Sequence, residues 1–176
     1  MIELLRKRRS IRKYTAQPVS RESQDLLVEA LLRSPTSRNN KPWEFIVVDD
    51  PALVEKLSTA KQHGGAFLKD APLGIVIAAD STKSDVWVED TAIAAILVQS
   101  VAESLGLGSC WIQIRKRPHD EKTTAEAFIQ QLLGLPEQIK VASIISLGHP
   151  AETKPPVPAN ELDYHKVKLN HYSKKL

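Results

Sequence analysis

Cysteine is almost missing from this chain of 176 residues: Cys110 stands alone, so no disulfide forms within it. Long apolar runs are missing too. The longest, Ala92 to Val98, falls far short of the roughly 18 residues that cross a bilayer. No apolar stretch with a cleavage site precedes the first charged residues, and together these absences lead to the expectation of a soluble, cytoplasmic protein with no membrane partner. Strong charge is lacking as well. A net charge of +3 and a pI near 9.0 are far milder than a dedicated nucleic-acid binder carries, and a small anionic ligand is enough to account for them. There is no glycine-rich fingerprint after a strand and no Walker-type loop, so any phosphate must be held by other donors. The five histidines, His63, His119, His149, His165 and His171, are scattered without carboxylates at helical spacing, which argues against a metal site. No internal repeat is present.

What remains is an ordinary globular composition, 42% hydrophobic and 26% charged, in a length that suits one domain over residues 1–176. Ile2, Leu4 and Leu5 predict a helical turn or two. Ser20 caps an amphipathic helix through Leu27, Ala30 and Leu31, which Ser34-Pro35 stops. Phe45–Val48 and Leu73–Ala79 read as buried strands, with a helix between them capped by Asp49 or Asp50 and built on Leu53, Val54 and Leu57. Asp85–Leu105 is the longest helix, ended by Gly106. It is apolar almost all round between Ala92 and Val98, which implies cover on every side and hence a core spine that is also a subunit interface. Ser109–Ile114 and Val141–Leu147 are two further strands, with a helix over Thr123–Leu133 between them. From Pro150 the chain carries Pro155, Pro156 and Pro158 and loses apolar periodicity, so residues 150–176 read as an extended arm. Strands alternating with helices give an α+β fold.

Two stretches carry chemistry. In Arg8-Arg9-Ser10-Ile11-Arg12, three guanidiniums and a hydroxyl fall within five residues. Planar donor forks of this kind match two phosphate oxygens at once and keep their charge when partly buried, as a phosphomonoester held without metal requires. The competing reading is a solvated basic face, in which Arg6–Lys13 and the basic tail Lys166–Lys175 of a non-enzymatic binding protein contact nucleic acid or an acidic partner. The second stretch, Ser34-Pro35-Thr36-Ser37-Arg38-Asn39-Asn40-Lys41-Pro42-Trp43, runs straight into a strand, which a basic patch does not explain. Cys110, between Ser109 and Trp111 in an apolar strand, is read as inert core rather than as a nucleophile.

Arg-Arg-Ser-x-Arg followed about two dozen residues later by Ser-Pro-x-Ser-x-Asn-x-x-Pro-Trp resembles the nitroreductase family of flavin enzymes. Gly106-Leu107-Gly108-Ser109-Cys110-Trp111-Ile112 and Ser146-Leu147-Gly148-His149-Pro150 look like that family's later landmarks in order. The resemblance implies an α+β sandwich with a central, mostly antiparallel sheet flanked by helices, a domain-swapped homodimer with FMN at its interface, and NAD(P)H as the reductant. It implies that Arg8, Arg9, Ser10 and Arg12 hold the ribityl phosphate and that Pro35, Thr36, Ser37 and Asn39 reach the flavin of the other subunit. Trp111, Ile112 and Gln113 would lie over the isoalloxazine, with Gly148 and Lys154 on the returning strand and at a further phosphate contact. No catalytic side chain is called for, since the flavin stores the hydride. The implied reaction is ping-pong reduction of nitroaromatic, quinone or similar small-molecule acceptors. Lys41 stands where many relatives carry Gln, and Gly64-Gly65 where some carry an asparagine, so these two departures bear on the acceptor.

Overall fold

The structure, a computed structural model, describes residues 1–175. Nine principal elements follow in chain order: α1 (Ile2–Lys7), α2 (Arg21–Leu32), β1 (Trp43–Val48), α3 (Pro51–Ser58), β2 (Leu73–Asp80), α4 (Trp87–Ser104), β3 (Gly108–Gln113), α5 (Ala125–Leu133) and β4 (Ile139–Gly148). Local chemistry sets their ends. The Ser20 hydroxyl accepts from Ser23 N to start α2, and the Asp50 carboxylate accepts from Ala52 N and Leu53 N to start α3, with Pro51 at its first position. Gly106 and Gly134, both at positive φ, follow α4 and α5, where a side chain would strain the backbone.

The four strands form one sheet in the order β1-β2-β4-β3, every neighbour antiparallel. The two middle strands are buried on both faces, which is why they read as continuous apolar runs rather than alternating ones. On one face Phe45, Ile75, Ile77, Ile145 and Leu147 pack against Leu27 and Leu31 of α2 and Ala94, Ala95, Val98 and Ala102 of α4. On the other, Val48, Val76, Ile112 and Ile144 meet Val54 and Leu57 of α3 and Ala125 and Ile129 of α5. The result is an antiparallel α+β sandwich. Among the described residues no helix is long and apolar enough to cross a membrane, and no group of His, Cys, Asp and Glu could hold a metal ion.

Within one chain the central helix is covered on one side only. One side of α4 is sealed against the sheet and α2, but Ala92, Ile93 and Ile96 face outward, with Ile93 39% and Ile96 41% exposed. Its apolar character on that side answers to nothing within one chain. The arm behaves similarly: Ala151 N donates to Lys13 O, Tyr14 bridges to Pro150, and beyond them Val157, Leu162, Tyr164, Val167, Leu169 and Tyr172 are all exposed.

Candidate flavin site

The arginine segment is fixed by main-chain contacts on both sides. Ser10 pairs with Ser109 at the start of β3, Ile11 N donates to Ser109 O at 3.0 Å, and Thr15 N donates to His149 O at 2.9 Å past the end of β4. Two buried side chains lock it. The Tyr14 hydroxyl donates to Ile11 O at 2.6 Å and lies 2.7 Å from Ser146 Oγ, while Ile11 presses so closely on Gly108 that a Cβ there would come within 2.8 Å of it. Position 108 is glycine because the arginine segment crosses it. Gly148 has a similar cause, since a Cβ there would lie 2.5 Å from Pro72.

The arm returns over this segment. Lys154 Nζ donates to Ser10 O at 2.6 Å, Arg9 Nη1 donates to Pro155 O, and Glu152 Oε1 accepts from Arg12 N at 2.6 Å and lies 3.1 Å from Lys154 Nζ. Between segment and arm lies a cavity of about 490 Å³ lined by Leu5, Arg8, Arg9, Ser10, Arg12, Lys154, Val157 and Leu162. Four cations and a hydroxyl share that wall, and no carboxylate does. The donor set fits a phosphomonoester: charge-assisted donors from a rigid segment, with apolar side chains closing the rim. Beside it the Arg12 guanidinium lies 5.7 Å over the ring of Phe67.

Cys110 sits directly behind this wall, buried. Desolvation pushes its thiol up, against the opposing pull of Arg12, a hydrogen bond with Ser10, Lys154 and Arg8. A thiol held protonated is a poor nucleophile, in keeping with its reading as core. Farther along β3, Ile112 turns its side chain into the core at 2% exposure, while Trp111 Nε1 donates to Gln113 Oε1 at 2.9 Å and Gln113 Nε2 to Arg115 O at 3.0 Å. Trp111 and Gln113 are thus held together, half-buried.

The loop of Pro35, Thr36, Ser37 and Asn39 lies elsewhere. It enters β1 at Trp43, which pairs with Ala79, which in turn is opposite Lys140 at the start of β4; the arginine segment sits at Gly108 and Gly148, the other end of the same strand. About 25 Å of strand separates the two, at about 3.3 Å per residue. The loop backbone is unusual: Arg38, Asn39 and Lys41 all have positive φ, between 46° and 56°. Such residues cost about 1 kcal/mol or more each and persist only where neighbours over-determine them. The neighbours here are residues 80–90. The Asp90 carboxylate, 2% exposed in the first turn of α4, accepts from Ser37 N at 2.8 Å and from Ser84 Oγ at 3.1 Å. Asn40 Nδ2 donates to Lys83 O at 3.0 Å, Lys41 N to Thr36 Oγ1 at 3.0 Å, Asp80 N to Pro42 O at 2.8 Å, and Arg38 pairs with Asp85. Trp43 Nε1 is buried with no partner among the described residues.

Asp90 and Glu152 were not singled out from sequence. Asp90 gave one signal, an acid just inside the longest helix of the chain. Glu152, in a proline-rich arm, gave none.

The nitroreductase family model matches residues 5–64 and 58–149. The chain belongs to the nitroreductase family. A solved FMN-dependent nitroreductase of Clostridium difficile R20291 superposes with a TM-score of 0.96 at 47% identity, over 98% of this chain and 100% of that one. The NADPH:FMN oxidoreductase of Vibrio harveyi, solved with NAD+, gives a TM-score of 0.82 at 26% identity, over 98% of this chain and 78% of that one. By sequence the chain is also 29% identical over 195 residues to an FMN reductase [NAD(P)H] of Bacillus subtilis, covering 97% of this chain and 75% of that protein. As a nitroreductase-family member it has an oxidoreductase fold whose relatives handle flavin and nicotinamide cofactors.

Proposed function

We propose that this protein is a homodimeric FMN-dependent oxidoreductase that takes reducing equivalents from NAD(P)H and passes them to nitroaromatic, quinone or similar flat acceptors by a ping-pong mechanism. The observation that carries it is the acid-free wall of Arg8, Arg9, Ser10, Arg12 and Lys154 around one cavity. Bound there, FMN would supply the hydride chemistry, and the chain would need only to bind and orient it and leave one face open. Arg8, Arg9, Arg12 and Lys154 would neutralise the phosphate, and the Ser10 hydroxyl would add a donor without charge. Trp111, Ile112, Gln113 and Gly148 would flank the ring, with Ile112 and Gly148 offering main chain, since one side chain is in the core and the other is absent.

The second half of the site is read as the partner's. Pro35–Asn39 lie at the far end of the sheet from the arginines of their own chain, the outward face of α4 is apolar beside them, and the arm exposes six large apolar side chains. Two chains packed through α4 with exchanged arms would resolve all three, bringing each strained loop to the other chain's cation cluster. Residues 1–176 are then one domain, with 150–176 as an extended arm that first closes its own chain's cavity through Lys154, Val157 and Leu162 and then reaches the partner.

Purified protein is expected to be yellow and to sediment as a dimer at micromolar concentration. Denaturation should release FMN. Release of FAD, or a covalent adduct, would remove the phosphate role of the arginines, and a monomer holding flavin at full affinity would remove the two-chain site.

A further inference from the structure

Outside the site just described, one cavity coincides with a group of cations. A cleft of about 320 Å³ is lined by Lys61, Gln62, His63, Arg117 and Pro118, where the loop after α3 meets the turn after β3. The two loops are fastened together: Gln62 N donates to Pro118 O at 3.3 Å, and His119 Nδ1 lies 3.1 Å from Thr59 O. The cleft is therefore part of the frame.

Its charge is one-sided. Among the described residues Lys61, His63, Arg115, Lys116 and Arg117 form no salt bridge. Asp120, three residues beyond Arg117, accepts from Lys122 N at 2.8 Å and Thr123 N at 2.7 Å. The Lys61 ammonium is destabilised first by burial and then by the Arg117 guanidinium. Holding two cations together, one of them half-buried, costs free energy that an anion between them would recover. Lys61 cannot easily swing away, because its stem lies along Gly64 and Gly65; a Cβ on Gly65 would touch Lys61 Cγ at 3.4 Å and Ser58 O at 3.2 Å.

The cleft also adjoins the flavin site through both of its loops. The loop that begins with Lys61–His63 ends in Phe67, under the Arg12 guanidinium, and the turn that holds Arg117 follows directly on Trp111–Gln113. An anion here would be part of a molecule that reaches that site. We propose that the Lys61–His63–Arg117 cleft binds a phosphate of the adenosine half of the reductant. This rests on the NAD(P)H reading above. Two phosphates share the chemistry, the 2′-phosphate of NADPH and the pyrophosphate common to both nicotinamide nucleotides.

The test is calorimetric titration of the purified protein with adenosine 2′,5′-bisphosphate and, separately, with ADP, for the wild type, Lys61→Arg and the double variant Lys61→Ala/Arg117→Ala. The double variant is expected to bind at least about tenfold more weakly, equivalent to about 1.4 kcal/mol, while Lys61→Arg keeps most of the affinity. Loss confined to the bisphosphate identifies the 2′-phosphate, and so a preference for NADPH; a loss for ADP as large as or larger than that for the bisphosphate identifies the 5′ side, where the pyrophosphate lies. Unchanged affinity in the double variant, or no binding of either ligand to the wild type, overturns the proposal. Flavin absorbance per chain is read on the same samples. A colourless protein would count against the oxidoreductase reading, while the titration would still report on the cleft.

Discussion

The two ends of the sheet solve different problems with different materials. Where β3 begins and β4 ends, Arg8, Arg9, Arg12 and Lys154 converge on one cavity; Lys154 is paired with Glu152, while the three arginines form no salt bridge among the described residues and keep their charge for a ligand. At the opposite end cations are paired off, Arg38 with Asp85 and Lys83 with Asp80 and Glu44. A loop with three residues in the left-handed region is pinned by one buried carboxylate, Asp90, and by main-chain carbonyls. One end is built for affinity and the other for position. A flavin phosphate needs the first and a ring contacted from a second chain needs the second.

Removing residues 151–176 should have the largest effect on this contrast. Lys154, Glu152 and the Val157 and Leu162 wall go with them, so FMN affinity should fall by more than about 3 kcal/mol and the dimer should dissociate, both measurable by flavin fluorescence titration and sedimentation. If the dimer and its flavin survive, the arm is ornament. Asp90→Ala strikes the other end. It leaves Ser37 N and Ser84 Oγ without their acceptor, and a loss of about 3 kcal/mol of folding stability is expected, seen in urea denaturation together with weaker FMN binding. Asp90→Asn keeps an acceptor for Ser37 N and should recover more than half of both. Recovery of stability without recovery of FMN affinity would mean that the loop does not reach a flavin.

Arg12→Ala should cost about 1.5 to 3 kcal/mol of FMN binding and leave the melting temperature nearly unchanged, because the side chain is exposed and its backbone N–H contact to Glu152 survives. The smallest effect is one of pH. Glu152 is held below the usual carboxylate range, chiefly by the Arg12 N–H and then by Lys154. A depressed value in the folded state means that its contribution is complete above about pH 4.3, the ordinary Glu value, and is lost as pH falls through the lower native one. Glu152→Gln should therefore lose that contribution at pH 7 and converge on the wild type in acid, so that flavin retention depends less steeply on pH. An identical acid profile would detach Glu152 from the site.

Most of the frame was legible in the sequence because each element carries its own local signal: Ser20 and Asp50 as caps, Gly106 and Gly134 as stops, and apolar runs for β2 and β4 that are buried on both faces. The cation cluster was legible because its members are adjacent in the chain. Lys154 alone is distant, and it entered through family resemblance rather than spacing. What could not be read is tertiary. Asp90 works by accepting a hydrogen from a residue 53 positions away, and an acid near a helix start is expected for electrostatic reasons in any case. The outward face of α4 was hidden for the same reason: composition gives the number of apolar residues on a helix, but not which of them another chain is needed to cover.

The distance between the arginines and the Pro35 loop has a genetic consequence. In a dimer with exchanged loops, a chain carrying Arg12→Ala and a chain carrying Asp90→Ala are each defective at both sites when paired with themselves. Paired with each other, they assemble one site in which both lesions fall together and another that receives intact arginines from one chain and an intact loop from its partner. Two impaired alleles expressed in the same cell would then complement, whereas two alleles damaged at the same end of the sheet would not.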